Sequence, residues 1–226
     1  MDHLNEKDGM RMEFNQENNQ VRLCGTMAAA PRYSHSAGGQ DFYCFPLEVE
    51  RLSGSFDLLN IVLRESQLAA VEAEEKARLL VLGELRSFNN RRGEGAKLVL
   101  TVLAREISLT DEPDDNHVSL TGTLCKAPNA RVTPLGRDIC DLLLAVNRRS
   151  GRSDYLPCIC WGSRAREAAE WTVGTVLHLE GRFQSREYLK LRGDGLERRT
   201  AFEVSAAEIA ALNRADDRCA VSAPEQ

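Results

Sequence analysis

Short runs of alternating or continuous apolar residues, bounded by turn-forming residues, dominate the chain and predict strands. The pattern occurs twice. Val21-Arg22-Leu23-Cys24-Gly25-Thr26 returns as Val118-Ser119-Leu120-Thr121-Gly122-Thr123, an offset of 97 positions. At that offset Ala30-Pro31 matches Ala127-Pro128, Leu47 and Val49 match Leu144 and Val146, and Asp57 matches Asp154; one step further out, Gly83 matches Gly181. The common order and spacing of these matches predict a duplication.

In the second copy the pattern predicts strands near 117–125, 138–147 and 154–161 and a helix at 163–171, where Ser163 stands at the capping position. A fourth strand opens at Val176 and a fifth runs from Arg199 to Val204. In the first copy, residues 65–74 fill the helix slot. Five short strands with a helix between the third and fourth, seen twice, predict two tandem OB-fold five-stranded barrels, an all-β chain with one short helix per domain. The expected divisions are a disordered tail at 1–19, a degenerate OB-fold domain at 20–110, an acidic linker at 111–116, the binding OB-fold domain at 117–213 and a short tail at 214–226. The linker rests on Asp111-Glu112-Pro113-Asp114-Asp115-Asn116, whose four acids and proline do not suit a core strand.

Strand faces bring in the chemistry. In Tyr155-Leu156-Pro157-Cys158-Ile159-Cys160-Trp161 the even positions suit a barrel interior, which turns Tyr155, Pro157, Ile159 and Trp161 outward; the alternative reverses the faces and makes Trp161 core. On the strand from Gly181 to Arg192 the even positions are Arg182, Gln184, Arg186, Tyr188, Lys190 and Arg192, four cations and one ring without an acid. Cations that neutralise phosphates, interleaved with rings that stack on bases, suit a single-stranded polyanion; the alternative is a solvated hairpin with a chance charge run. Arg148, Arg149 and Arg152 in the turn between the second and third strands, and Arg198-Arg199 at the return of the hairpin, add positive charge. The first copy repeats this poorly: Leu58 stands at the place of Tyr155 and Arg64 at that of Trp161. Its long strand turns out Glu84, Arg86, Phe88, Asn90 and Arg92, which predicts a weaker, secondary nucleic-acid surface on Phe88, Arg86 and Arg92, or one used for pairing domains.

Composition narrows the class. The chain has 226 residues with a formal net charge of -5, and 42% are hydrophobic, which fits a soluble globular protein. The copies carry net charges of 0 and +3, so the acidity lies in the tails and linker. No apolar run approaches the roughly 18 residues of a membrane span, and the N-terminus shows no secretory pattern. Seven cysteines, none in a C-x-x-C pair, predict reduced thiols and a cytoplasmic protein without a zinc site of common spacing. His3, His35, His117 and His178 are scattered, and no hydrolase, metalloprotease or P-loop signature occurs, so neither enzyme nor cofactor is expected.

Gly122-Thr123-Leu124-Cys125-Lys126-Ala127-Pro128, Leu143-Leu144-Ala145-Val146-Asn147-Arg148, Trp161-Gly162 and Leu179-Glu180-Gly181-Arg182 resemble the bacterial single-stranded DNA-binding protein family, clearly over 117–210 and weakly over 20–110. The resemblance implies an OB-fold that wraps single-stranded DNA around an oligomer without catalysis, near the nucleoid, with stacking rings at Tyr155, Trp161 and Tyr188. By analogy with tandem members it implies a homo-oligomer, a dimer holding four barrels, in contact with replication or repair proteins. Two departures stand out. A tryptophan usual in the turn after the second strand is replaced by Arg149 and Ser150, and the acidic-hydrophobic tip is missing from Ala220–Gln226. The competing reading is an OB-fold protein-interaction adaptor that binds strands weakly.

Overall fold

The computed structural model describes residues 18–71, 76–90, 98–192 and 195–212; side chains at 189–192 and 197 are outside the description. The tails expected at 1–19 and 214–226 lie almost wholly outside the described residues, apart from Asn18 and Asn19.

The first half comprises β1 (Asn19–Met27), β2 (Arg32–Ala37), β3 (Gln40–Glu50), β4 (Phe56–Arg64), a 3₁₀ helix (Glu65–Ala70), β5 (Arg78–Asn89) and β6 (Leu98–Leu109). The second comprises β7 (Asp115–Leu124), β8 (Asn129–Val132), β9 (Asp138–Asn147), β10 (Ser153–Trp161), α1 (Ser163–Ala169), β11 (Val176–Arg192) and β12 (Gly195–Ala211). In the first half, β1 pairs with β3 and β5, β3 with β4, β5 with β6, and β4 runs parallel to β6, so the five strands close on themselves. β7, β9, β10, β12 and β11 close in the same way. These are the two tandem OB-folds that the repeated pattern predicts. Each barrel adds a strand the pattern did not show, β2 on β3 and β8 on β9; both are exposed along their length and carry no apolar alternation.

The repeated glycines mark places where backbones touch. A Cβ on Gly83 would sit 2.3 Å from the Leu103 carbonyl oxygen, and one on Gly181 would sit 2.2 Å from that of Ser205. Each stands where the register of its strand pair shifts, so both barrels bend their long hairpin at an equivalent glycine. Inside, Phe45, Leu47, Leu59 and Ile61 fill the first barrel and Leu144, Leu156, Leu179 and Phe183 the second.

α1 is shorter than the sequence predicts; of the helix slot at 65–74, the 3₁₀ helix fills Glu65–Ala70, and 72–74 lie outside the described residues. α1 ends at Ala169, and its N-cap is Gly162 at φ 61°, so Ser163 does not cap it. Trp171 lies past the helix and packs against the core. Four of the six positions assigned to the linker precede β7, and Asp115 and Asn116 belong to it. Three of the four acids are held: Glu112 and Asp115 pair with Arg22, and Asp114 pairs with Arg78 at 2.7 Å and accepts from Glu50 N at 2.6 Å.

The two barrels are joined edge to edge. β1 and β7 run antiparallel with Val21 opposite Val118, positions that are equivalent in the repeat. A pseudo-twofold axis therefore passes between them, and the flanking contacts come in matched pairs. Asn19 holds both backbone groups of Leu85 at 2.8 Å; Asn116 holds those of Phe183 at 2.7 and 2.9 Å. Asp57, fully buried, accepts from Arg51 of its own barrel and from Ser185 N of the other at 2.7 Å. Asp154, also fully buried, accepts from Arg148 and from Ser87 N at 2.6 Å.

Candidate nucleic-acid interface

β10 alternates as its residue types require. Leu156, Cys158 and Cys160 are buried, while Tyr155 and Trp161 are 49% and 41% exposed. The structure thus places both rings on the outward side. Pro157 is half-buried between them. Ile159 departs from the pattern: it is buried, on the outward side, between Asp141 of β9 and Ser205 of β12.

On β11, Phe183 is buried in the barrel, so Arg182 and Gln184 face out, half-buried. Arg186 is exposed and its guanidinium carbon lies 5.8 Å from the centre of the Tyr188 ring, a cation–π arrangement. Lys190 and Arg192 belong to β11, but their side chains are outside the described residues. The face is not free of acid. Glu203 of β12 stands opposite Gln184, bonds its amide at 2.9 Å and lies 3.7 Å from Arg186 Nε. A strand read alone does not reveal the charge on its neighbour.

Of the turn arginines, Arg149 and Arg152 are exposed between β9 and β10. Arg148 is held inward: Nε donates to Asp154 at 2.7 Å and Nη2 reaches Ser87 O at 3.3 Å. The Asp154 carboxylate holds its guanidinium charged, raising its pKa above the ordinary value. Arg148 therefore stands in the joint between barrels and not on the rim that carries Arg149 and Arg152. In the first half, Phe88 is 51% exposed, while Arg86 is paired with Glu84 and reaches Asp154 at 3.1 Å. Arg92 lies outside the described residues.

The joint delivers first-barrel residues to the second barrel's face. Ser87 Oγ accepts from Tyr155 N at 2.8 Å, so Phe88 follows directly on a residue bonded to the strand that carries Tyr155. The mirror contact runs from Leu58 N to Ser185 Oγ at 3.3 Å, which brings the exposed Phe56 and Leu58 of β4 beside the strand bearing Arg186 and Tyr188. Ser87, Ser185, Phe56 and Glu203 were not singled out from the sequence. The first two share the 98-residue offset of Gly83 and Gly181, a signal that was there to find.

Burial pushes the Cys160 thiol up to about 12 and raises that of Cys158 as well, so both stay protonated. Among the described residues no group of three or more His, Cys, Asp or Glu is arranged to hold a metal, and no helix is long and apolar enough to cross a membrane.

Residues 115–212 match the single-strand binding protein family. Single-stranded DNA-binding protein 2 of Listeria innocua is 35% identical over 80 residues, which cover 32% of this chain and 50% of that protein. Single-stranded DNA-binding protein A of Bacillus subtilis is 35% identical over 85 residues, 34% of this chain and 49% of that one. The chain spans about half the length of the curated relatives it matches. The crystal structure of the wild-type single-stranded DNA binding protein from Thermus aquaticus superposes with a TM-score of 0.70 at 25% identity, over 92% of this chain and 95% of that one. The resemblance read from Gly122–Pro128, Trp161-Gly162 and Leu179–Arg182 is thereby borne out.

Proposed function

We propose that this chain, whose second barrel is a domain of the single-strand binding protein family, binds single-stranded DNA without regard to sequence and without catalysis. Bases stack on Tyr155, Trp161 and Tyr188, and phosphates are held by Arg149, Arg152, Arg182 and Arg186, with Lys190 and Arg192 extending the track. The observation that carries this reading is the pair of half-exposed rings on the outward side of β10, where burial would otherwise be favoured. Phe88, with Arg92, forms a secondary surface, while Arg86 is committed to Glu84 and Asp154 in the joint. The bound strand is protected during replication, recombination or repair in the cytoplasm, at the nucleoid, in contact with enzymes of those processes, and two chains assemble to present four barrels.

The test is a titration of fluorescent poly-dT, with a duplex of equal length beside it, at two salt concentrations. The four arginines alone give a slope of log K on log salt near -3, at ~0.7 per phosphate for a single strand, and Lys190 and Arg192 steepen it towards about -4. Trp161 emission is quenched on binding, and Trp161→Ala and Tyr188→Ala weaken binding more than Phe88→Ala does. Equal affinity for duplex reduces the site to charge attraction, and no binding at all leaves the adaptor reading.

A further inference from the structure

The first barrel has lost the rings at the places of Tyr155 and Trp161, yet its outward face is not bare. β2, β3 and β4 lie side by side, with His35 opposite Phe42 and Phe42 opposite Arg64. Opposed residues share a face with neighbouring side chains. Phe45, Leu47 and Val49 of β3 point into the barrel, so Phe42, of the other parity, points out. The His35 and Phe42 rings are stacked, centroids 4.9 Å apart and planes 7° from parallel. Arg32, exposed, stands opposite Cys44 on the same face. Neither Arg32 nor Arg64 makes an ion pair among the described residues. The hairpin that carries the stack is anchored from its other side, where Tyr33 meets Tyr43 edge-on at 5.9 Å and Tyr43 packs on the core.

The second barrel presents the same transverse row with its order reversed. There Arg131 of β8 stands opposite Ile139 of β9, and Ile139 opposite Trp161 of β10. At the repeat offset Phe42 corresponds to Ile139 and Arg64 to Trp161. One barrel reads cation, aliphatic, ring across its three strands; the other reads ring, ring, cation. A pre-stacked pair of rings, His35 exposed and Phe42 half-buried, between two guanidiniums with no ion pair among the described residues has the composition that takes an unpaired base and its flanking phosphates.

We propose that His35, Phe42, Arg64 and Arg32 form a base-stacking and phosphate-holding subsite for single-stranded nucleic acid on the first barrel. This rests on the reading of the chain as a single-strand binder. It changes the first barrel from a weakened copy into a site rebuilt one strand over.

The experiment uses the full chain with fluorescent oligo-dT of increasing length, comparing wild type, Phe42→Ala with His35→Ala, and Arg64→Glu with Arg32→Glu. Circular dichroism melts accompany each, and the charge-reversal pair, with Arg32 exposed and Arg64 half-buried, keeps the question open should the ring pair impair folding. Loss of one stacked base predicts about tenfold weaker binding of long oligomers by the ring variant, with fewer nucleotides occluded. The arginine variant shows a shallower salt slope. If wild type binds while both variants stay within threefold of it at unchanged occluded length, the subsite is refuted and the second-barrel reading stands. If wild type binds no oligonucleotide, both fall together.

Discussion

Removing the carboxylate of Asp154 tests whether the two barrels are one mechanical unit. Asp154 is fully buried and accepts from Ser87 N at 2.6 Å, Arg148 Nε at 2.7 Å and Arg86 Nη1 at 3.1 Å. Ser87 and Arg86 belong to the first barrel, so Asp154→Ala strips a junction that both barrels share. Breaking a buried ion pair from one side costs ~3–5 kcal/mol. The side chains of Arg148 and Arg86 are 26% and 21% exposed, so the orphaned guanidiniums recover some water, and the lower end of that range applies. At ~2–4 °C per kcal/mol for a chain of this size, Tm falls by about 6–12 °C. Asn does not rescue the site. Both carboxylate oxygens are ringed by donors, so the amide NH2 must face one of them wherever it points. Asp57→Ala at the mirror site costs nearly as much, and somewhat less because no counterpart of Arg86 reaches it among the described residues. The assay is thermal unfolding of the full chain by circular dichroism, with calorimetry to check that a single transition persists. A shift under 2 °C for Asp154→Ala, or full rescue by Asn, would refute the account of the joint.

Three further outcomes follow from the same geometry. Arg148→Ala lowers Tm and leaves the salt slope of DNA binding as in wild type, whereas Arg152→Ala keeps Tm and makes that slope shallower by ~0.7; the opposite pattern in the titration and the melt would put Arg148 on the DNA. Gly181→Ala drives a Cβ to 2.2 Å from the Ser205 carbonyl oxygen and destabilises by at least ~2 kcal/mol in urea titration, as does Gly83→Ala against Leu103, and a neutral result would mean the bulges are not tight. Cys160, pushed up to about 12 from an ordinary value of 9.0, keeps its proton longer folded than unfolded, so the stability it contributes is complete below pH 9 and drains away as pH rises towards 12. Wild-type Tm therefore declines above pH 9 more steeply than that of Cys160→Ala, and iodoacetamide modifies Cys160 only after unfolding.

The parts legible in the sequence are those that a strand states within its own length. Alternation told the inside of β10 from its outside because Leu156, Cys158 and Cys160 left no room for an indole on the inner face. The repeated glycines were visible because a close backbone approach tolerates no other residue. What escaped was whatever depends on a neighbour brought from elsewhere. Glu203 enters the positive face from β12, across from Gln184. Arg148 looked like a solvated turn cation because neither the buried state of Asp154 nor the arrival of Ser87 is written in the turn. The acids before β7 looked like free linker because Arg22 and Arg78, which hold them, lie some 30 to 90 residues earlier. β2 and β8 were missed because strands exposed on both faces lose the apolar period that reveals a strand.

The duplication and the divergence occupy different surfaces, and this separation has a physical cause. An interface between equivalent patches is self-complementary: Arg51 with Asp57 and Ser185 on one side requires Arg148 with Asp154 and Ser87 on the other. A change at one patch is felt at its own buried carboxylate, where an unmatched donor or acceptor costs several kcal/mol. The joint therefore resists drift even though the two halves are free to differ in sequence. The outward rows carry no such coupling. Replacing Trp161 by its counterpart Arg64 alters only a partly solvated face, and exchanging buried Ile139 for Phe42 swaps one apolar group for another without touching the joint. With the barrels locked at the Val21–Val118 axis, each outward row keeps a fixed place relative to the other. A ring can then move from the fourth strand of one barrel to the third without changing what the joint holds.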